Sequence, residues 1–255
     1  MTRSLLVRGM LVGIVAGLLV FLTARWLGEP QVDRAIAFED SLAQAKGEPP
    51  DPEVVSRHTQ KTAGLLVGVL TFGTAIGGVF GLAFAFSYGR IGPTRPRALS
   101  VFLASIGFVA VALVPSLKYP ANPPAIGNPA TIGIRTGAYF LMMAISIAAA
   151  GLCLQFGRRL TNRFGMWNGS LLVAAVFIVL VSVLARMLPV IDEVPVGFPA
   201  EVLWNFRLAS WGIQVVLWAS LGLLFGWLTE RDQRWSRLSG LSCLSEPETP
   251  VKWGI

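Results

Sequence analysis

The segment 9–22, GMLVGIVAGLLVFL, decides the fold of this chain. It lies within an apolar stretch, residues 4–26, that is long enough to cross a bilayer, since the hydrocarbon core needs about 20 apolar residues per helix. Five further stretches of this kind follow, at residues 62–88, 98–116, 136–156, 170–188 and 203–228. The sequence therefore predicts an all-α integral membrane bundle with about six transmembrane helices over residues 1–237, followed by a disordered cytoplasmic tail at residues 238–255.

Composition and charge agree with a membrane protein. The chain is 54% hydrophobic and 14% charged, whereas soluble domains carry about 25% charged residues. The net charge of +7 comes mainly from arginines in short loops, where membrane topology accounts for them, so we expect no nucleic-acid partner. Cys153 and Cys243 fit neither a disulfide framework nor a paired metal-ligand spacing.

The basic residues predict the orientation of the bundle. The second and fourth connections and the start of the tail each carry three arginines, whereas the third and fifth connections are poorer in Lys and Arg. Cytoplasmic loops are enriched in these residues, so we expect both termini to be cytoplasmic. The first connection, residues 28–61, then lies outside the cell despite its mixture of basic and acidic residues.

Three segments are expected to converge on the outer side. Residues 30–44 have the pattern of a short amphipathic helix, and the prolines that follow at positions 49, 50 and 52 should break it into a helical hairpin arm. The third connection, KYPANPPAIGNP at residues 118–129, holds four prolines in ten residues and is predicted to be a rigid extended loop. The fifth connection, residues 189–201, combines Asp192 and Glu193 with further prolines.

Glycines recur every four residues on three of the predicted spans. The positions are Gly9, Gly13 and Gly17; Gly73, Gly77 and Gly81; and Gly222 and Gly226. Small residues at this spacing let helix backbones approach closely in lipid, so we expect these faces to pack the bundle. An alternative is that one glycine stripe docks a separate membrane partner.

Polar residues at membrane depth are costly and usually have a function or a partner. In the last span, Arg207, Ser210 and Gln214 share one helical face. With the carboxylates Asp192, Glu193 and Glu201 they are the predicted substrate pathway. Arg207 is expected either to pair with one of these carboxylates or to extend to the lipid headgroups.

A metal site and an enzyme active site have little support in the sequence. His58 is the single histidine and the candidate metal ligand, with a solvated loop histidine as the alternative. The chain has no Walker A phosphate loop, no HExxH motif and no GxSxG motif. We therefore expect neither enzymatic activity nor a cofactor.

Two blocks of sequence carry a family resemblance: LKYPANPPAIG at residues 117–127 and FPAEVLWNFRLAS at residues 198–210. They resemble the CbtA family of predicted cobalt transporter subunits, and the resemblance extends from the first span to the sixth. It implies a bacterial multi-pass protein of the inner membrane, associated with cobalamin supply, that transports Co²⁺ and works with a small one-span, histidine-rich partner, CbtB. The matching positions in the predicted entrance loop are Tyr119, Pro120, Asn122, Pro123 and Pro124, and those beyond it are Glu201, Arg207 and Ser210.

The sequence thus favours the membrane subunit of a divalent cobalt importer, embedded in the lipid bilayer. The outer carboxylates would attract the hydrated cation, and the proline-rich loop would frame the entrance. The alternative is a non-transporting membrane scaffold or assembly subunit whose polar groups only tie helices together. Assembly into an oligomer is compatible with either function.

Overall fold

A computed structural model describes residues 2–47, 54–90 and 95–242. The first continuous helix consists of α1 (Thr2–Thr23), a π-helical turn (Ala24–Gly28) and α2 (Glu29–Lys46). The remaining long helices are α3 (Arg57–Ser87), α4 (Pro96–Lys118), α5 (Ile132–Phe164), α6 (Met166–Met187) and α7 (Ala200–Ser242). Six helices in this part of the chain are long and apolar enough to cross a bilayer, which confirms the predicted all-α membrane bundle.

Helices α1 and α3 pack backbone against backbone. A Cβ added to Gly77 would lie 2.2 Å from the carbonyl oxygen of Gly9, and one added to Gly13 would lie 2.1 Å from the carbonyl oxygen of Gly73. No side chain larger than hydrogen fits at such contacts. The predicted packing role of these two glycine stripes is confirmed.

The third stripe packs α7 against α4. A Cβ on Gly222 would lie 2.7 Å from the Cβ of Ala104, and the Ser100 hydroxyl donates to the Gly222 carbonyl oxygen at 2.7 Å. All three stripes therefore face other helices of the same chain. The alternative that a stripe docks a separate partner is wrong, because Gly73, Gly77 and Gly81 are already buried.

Helices α5 and α6 form a hairpin at the side of the bundle. Gly169 near the start of α6 contacts the backbone of Thr161 in α5. Met142 of α5 is 1% exposed in a cluster that includes Val114 of α4 and Val181 of α6. Only 6% of the most apolar 18-residue window of α6 is buried within the protein.

At one end of the bundle, α2 meets two loops, which we name the proline loop (residues 119–128) and the acidic loop (residues 189–199). Ala35 of α2, Ile126 of the proline loop and Phe198 of the acidic loop share a buried cluster. The rings of Phe38 and Phe198 meet edge to face at 5.1 Å. The predicted amphipathic helix and the predicted convergence of three segments are therefore confirmed.

The start of α3 is tied to the base of α2 by ion pairs. Arg57 pairs with Glu29 and, at 3.0 Å, with Asp33, while Lys61 lies 3.4 Å from Asp33. Gly47 ends α2 with a left-handed φ of +71°. The rest of the predicted break, residues 48–53, lies outside the described residues.

The opposite end of the bundle carries the start of α1, the start of α4 and the part of α7 around Asp232. Arg8 of α1 pairs with Asp232 of α7 at 2.6 Å, and Arg97 of α4 pairs with Glu230 at 2.7 Å. The start of α1 and residues 230–232 of α7 thus lie at the same end of the bundle, as an even number of spans requires. Helix α7 continues to Ser242, and the remainder of the predicted tail lies outside the described residues.

Candidate functional site

A polar cavity of about 370 Å³ lies where the proline loop meets α4, α5 and α7. Its polar lining comes from the hydroxyl, amide and guanidinium groups of Ser116, Tyr119, Asn122, Arg135, Thr136, Tyr139, Ser210 and Gln214. The cavity therefore includes residues from both sequence blocks, 117–127 and 198–210. It is the candidate functional site of the described part of the chain.

The predicted polar face of α7 points toward this region. Ser210 and Gln214 line the cavity, and Arg207, one turn before Ser210, lies beside it. Trp211 also lines the cavity, where its indole N–H donates to the Ser116 hydroxyl at 3.0 Å. Nothing in the sequence pattern of α7 indicated this contact with α4.

Arg207 binds the proline loop. Its Nη2 donates to the Asn122 side-chain oxygen at 3.1 Å, and its Nε donates to the Ala121 carbonyl oxygen at 3.4 Å. The predicted pairing of Arg207 with Asp192, Glu193 or Glu201 is therefore wrong. The physical reason is that prolines lack N–H donors, so the proline loop presents acceptors that the guanidinium can use.

Glu193 is instead held at the proline loop and the start of α5. Its carboxylate, 15% exposed, accepts hydrogen bonds from the Asn128 N–H at 2.9 Å, from the Thr131 hydroxyl and from Arg135 Nη1 at 2.8 Å. The Thr131 and Asn128 hydrogen bonds and the nearby Arg135 charge hold the pKa of Glu193 below its ordinary value. Glu193 is thus a paired anion at the border of the cavity.

Arg135 is a site residue that the sequence reasoning missed. It lines the cavity, and its guanidinium also contacts Gly127, where a Cβ would lie 2.0 Å from Nη1. Gly127 has φ +127°, a conformation that L side chains rarely adopt. The available signal was an arginine in the first turn of an apolar helix, directly after the proline-rich segment.

The proline loop is anchored from within. Tyr119 is 7% exposed, and its hydroxyl donates to the Pro189 carbonyl oxygen at 2.8 Å, which joins the proline loop to the acidic loop. Burial raises the pKa of Tyr119. Pro120 lines the cavity, Pro123 is buried and Pro124 is exposed. One side of the loop therefore forms part of the cavity wall, and the other side is exposed.

The remaining predicted residues lie outside the cavity. Asp192 is exposed and accepts only a long hydrogen bond from the Val194 N–H, at 3.4 Å. Glu201 is exposed in the first turn of α7, where a negative charge favours the helix dipole. His58 is exposed beside Arg57, and the described residues contain no group of three or more His, Cys, Asp or Glu side chains able to hold a metal ion.

The lining offers neutral oxygens, and the described residues provide no group of side chains suited to tight metal binding. Neutral oxygens from hydroxyls, amides and carbonyls can replace water around a hard cation, and conduction requires sites weak enough to release the ion. The Arg135 charge is offset by Glu193, whose carboxylate lies 2.8 Å away. The exposed carboxylates of Asp192 and Glu201 lie outside the cavity at the same end of the bundle, which also carries basic side chains such as Lys61 and Lys118.

One of three comparisons with known proteins gives a match. A search of curated proteins and a search of solved structures found no match. The family model described as probable cobalt transporter subunit (CbtA) matches residues 2–230, which span all six membrane helices and both loops around the cavity. The chain therefore belongs to the CbtA family of probable cobalt transporter subunits.

Proposed function

We propose that this chain is the membrane subunit of a divalent cobalt importer linked to cobalamin supply, and that the polar cavity is part of the ion's route. The observation that carries the proposal is the cavity itself, in which the two sequence blocks meet beneath the converging outer loops. Membership of the CbtA family supports cobalt as the cargo. The protein would lie in the bacterial inner membrane with both termini in the cytoplasm.

The first step of the proposed route is electrostatic. The exposed carboxylates Asp192 and Glu201 stand at the loop end of the bundle, where they would raise the local concentration of a hydrated cation. His58, in the first turn of α3, is available as an additional ligand there. None of these groups would have to bind the ion tightly.

The second step is entry into the cavity. The Arg207 contacts with Ala121 and Asn122 hold the proline loop over α7, so the loop would act as the frame of the entrance. The Glu193–Arg135 pair borders the same space. Separation of this pair would expose a carboxylate to the ion, and its reformation would release the ion.

A histidine-rich one-span partner of the CbtB type would supply the first capture of cobalt. The supporting observation is the shortage of soft and imidazole ligands here, since the described residues contain no His, Cys, Asp or Glu group suited to a metal. A subunit that conducts the ion and a partner that captures it would divide the work. An oligomer of either subunit remains compatible with this scheme.

The test is cobalt uptake by cells that lack their own cobalt importer and express this chain, alone and with a one-span histidine-rich partner. We expect uptake above vector controls in at least one case. Gln214→Leu, in the cavity, should lower uptake about fivefold, the rate equivalent of one hydrogen bond of about 1 kcal/mol. Gln155→Leu is the matched control, because Gln155 is exposed on α5 away from the cavity.

One observation favours the scaffold alternative: Glu193, Arg135 and Arg207 all have partners that tie loops to helices. A scaffold predicts that Gln214→Leu leaves cobalt uptake unchanged at equal abundance in the membrane. Uptake equal to vector controls, both alone and with the partner, would reject transport. Uptake that Gln214→Leu does not alter would place the route outside this cavity.

A further inference from the structure

A second cavity, of about 510 Å³, lies between α4 and the α5–α6 hairpin. Its walls are mostly apolar and include Phe102 and Ile106 of α4, Leu154 of α5, and Val173 and Phe177 of α6. We name it the hairpin cleft. Few residues of α6 are buried within the protein, so this cleft borders the part of the bundle that faces the bilayer.

One end of the hairpin cleft is polar and basic. Arg158, Thr161 and Ser170 line it there. Arg158 is exposed and uses Nη2 to donate to the Arg90 carbonyl oxygen in the connection between α3 and α4. A guanidinium has five N–H groups, so Arg158 keeps donors for a further acceptor.

Within the part of the chain that the structure describes, acids do not compensate the basic charge at this end of the cleft. Residues 54–191 contain no Asp or Glu, so α3, α4, α5 and α6 contribute only basic side chains. Of the described residues, Glu230 and Asp232 of α7 are the acids at this end of the bundle, and they pair with Arg97 and Arg8. Among the described residues, Arg158 forms no ion pair with a carboxylate.

Neighbouring arginines mark the level of a membrane surface. The Arg159 guanidinium lies over the Phe156 ring and that of Arg163 over the Phe164 ring. Both belong to the last turns of α5, beside the first turn of α6, which carries no acidic residue. The cleft therefore has an apolar body inside the bilayer, and Arg158 forms its cationic rim at the level of these arginines.

We propose that the hairpin cleft binds an anionic glycerophospholipid, with acyl chain along the apolar walls and phosphate on Arg158. Basic pockets between transmembrane helices on the cytoplasmic side are suited to anionic headgroups, and arginine binds phosphate through paired N–H donors. The charge of the rim selects this occupant over an uncharged apolar helix. A zwitterionic lipid would place its own cation beside Arg158.

Native mass spectrometry of the purified chain, delipidated in detergent and incubated with phosphatidylglycerol or phosphatidylcholine of identical chains, tests the proposal without any transport measurement. We expect preferential retention of phosphatidylglycerol. Arg158→Gln should lower that retention about fivefold, the equivalent of one surface arginine. Arg159→Gln is the matched control, because Arg159 lies one residue away and does not line the cleft.

A second variant fills the cleft. Ala174 lines it from α6, so Ala174→Phe should displace the lipid, with Ala174→Leu as a smaller substitute if the phenylalanine variant fails to fold. Equal retention of the two lipids, or equal effects of Arg158→Gln and Arg159→Gln, would overturn the proposal. An oligomer that Ala174→Phe dissociates, without lipid selectivity, would assign the cleft to a second copy of the chain and also overturn it.

Discussion

Arg207 and Asn122 join the last membrane helix to the proline loop, with Arg207 Nη2 donating to the Asn122 side-chain oxygen at 3.1 Å. The two residues belong to separate sequence blocks, 85 positions apart along the chain. Their contact places Ser210 and Gln214 on the wall of the cavity that the proline loop covers. The loop is therefore held over α7 by a side chain for which the sequence predicted either a carboxylate partner or the lipid headgroups.

The contact predicts a coupling between the two residues. In a double-mutant cycle, Arg207→Met and Asn122→Ala should show a coupling energy of about 1 kcal/mol, typical of a half-exposed hydrogen bond to a charged group. The measurement is the unfolding free energy of the four proteins in mild detergent. Strictly additive effects would mean that the contact does not hold the loop.

The glycine contact between α1 and α3 predicts a position-specific loss of stability. Gly77→Ala would place a Cβ 2.2 Å from the Gly9 carbonyl oxygen, so the helices must separate, at a cost of more than about 2 kcal/mol. Gly68→Ala in the same helix meets no atom within 4 Å and should be neutral or slightly stabilising. Thermal unfolding in detergent compares the two, and equal melting temperatures would contradict the packing described here.

The hydrogen bonds of the Glu193 carboxylate predict that the stability of the fold depends on pH. Because the folded-state pKa of Glu193 lies below its ordinary value, its stabilisation is complete at neutral pH. It declines as the pH falls below about 4.3, the ordinary pKa of a glutamate, and is lost below the folded-state pKa. Glu193→Gln should remove this part of the acid sensitivity in unfolding curves between about pH 6 and 3, while Asp192→Asn, with one long hydrogen bond, should leave it intact.

A substitution at Gly127 should disturb the Arg135–Glu193 pair, because Gly127 lies against the Arg135 guanidinium. Gly127→Ala would strain a residue at φ +127° and push its Cβ to 2.0 Å from Arg135 Nη1, which costs about 1–3 kcal/mol. The displaced guanidinium should also reduce the acid sensitivity that Glu193 confers. Gly133→Ala, which meets no atom within 4 Å, is the control, and identical pH profiles for both variants would contradict the proposed link.

Topology is open to cysteine labelling in a chain whose Cys153 and Cys243 are replaced by Ser. Cysteines at Asn122 and Asp192 should react with an impermeant maleimide from the same compartment, because the Glu193–Asn128 hydrogen bond holds their loops together. A cysteine at Met166, exposed at the turn between α5 and α6, should react only from the opposite compartment. Labelling of positions 122 and 192 from different compartments would contradict the placement of both loops at one entrance.

Local pattern was sufficient for much of the architecture. The lengths of the apolar stretches predicted all six spans, and the four-residue recurrence of glycine predicted which helix faces pack closely, though not which helices meet. The spacing of Ser210 and Gln214 predicted their shared face. These features follow from helix length and periodicity, which are properties of a few consecutive turns.

The hydrogen-bond partners of polar side chains on different helices and loops could be identified only from the tertiary structure. Arg207 lies in the second turn of α7 and Arg135 in the first turn of α5, yet Arg207 binds Asn122 and Arg135 binds Glu193. Helical periodicity fixes the direction of a side chain but not which of several acceptors lies within about 3 Å of it. That distance is set by the glycine contacts between helices and by the stiff course of the proline loop, so only the packed bundle decided which polar groups line the cavity and which charges are already paired.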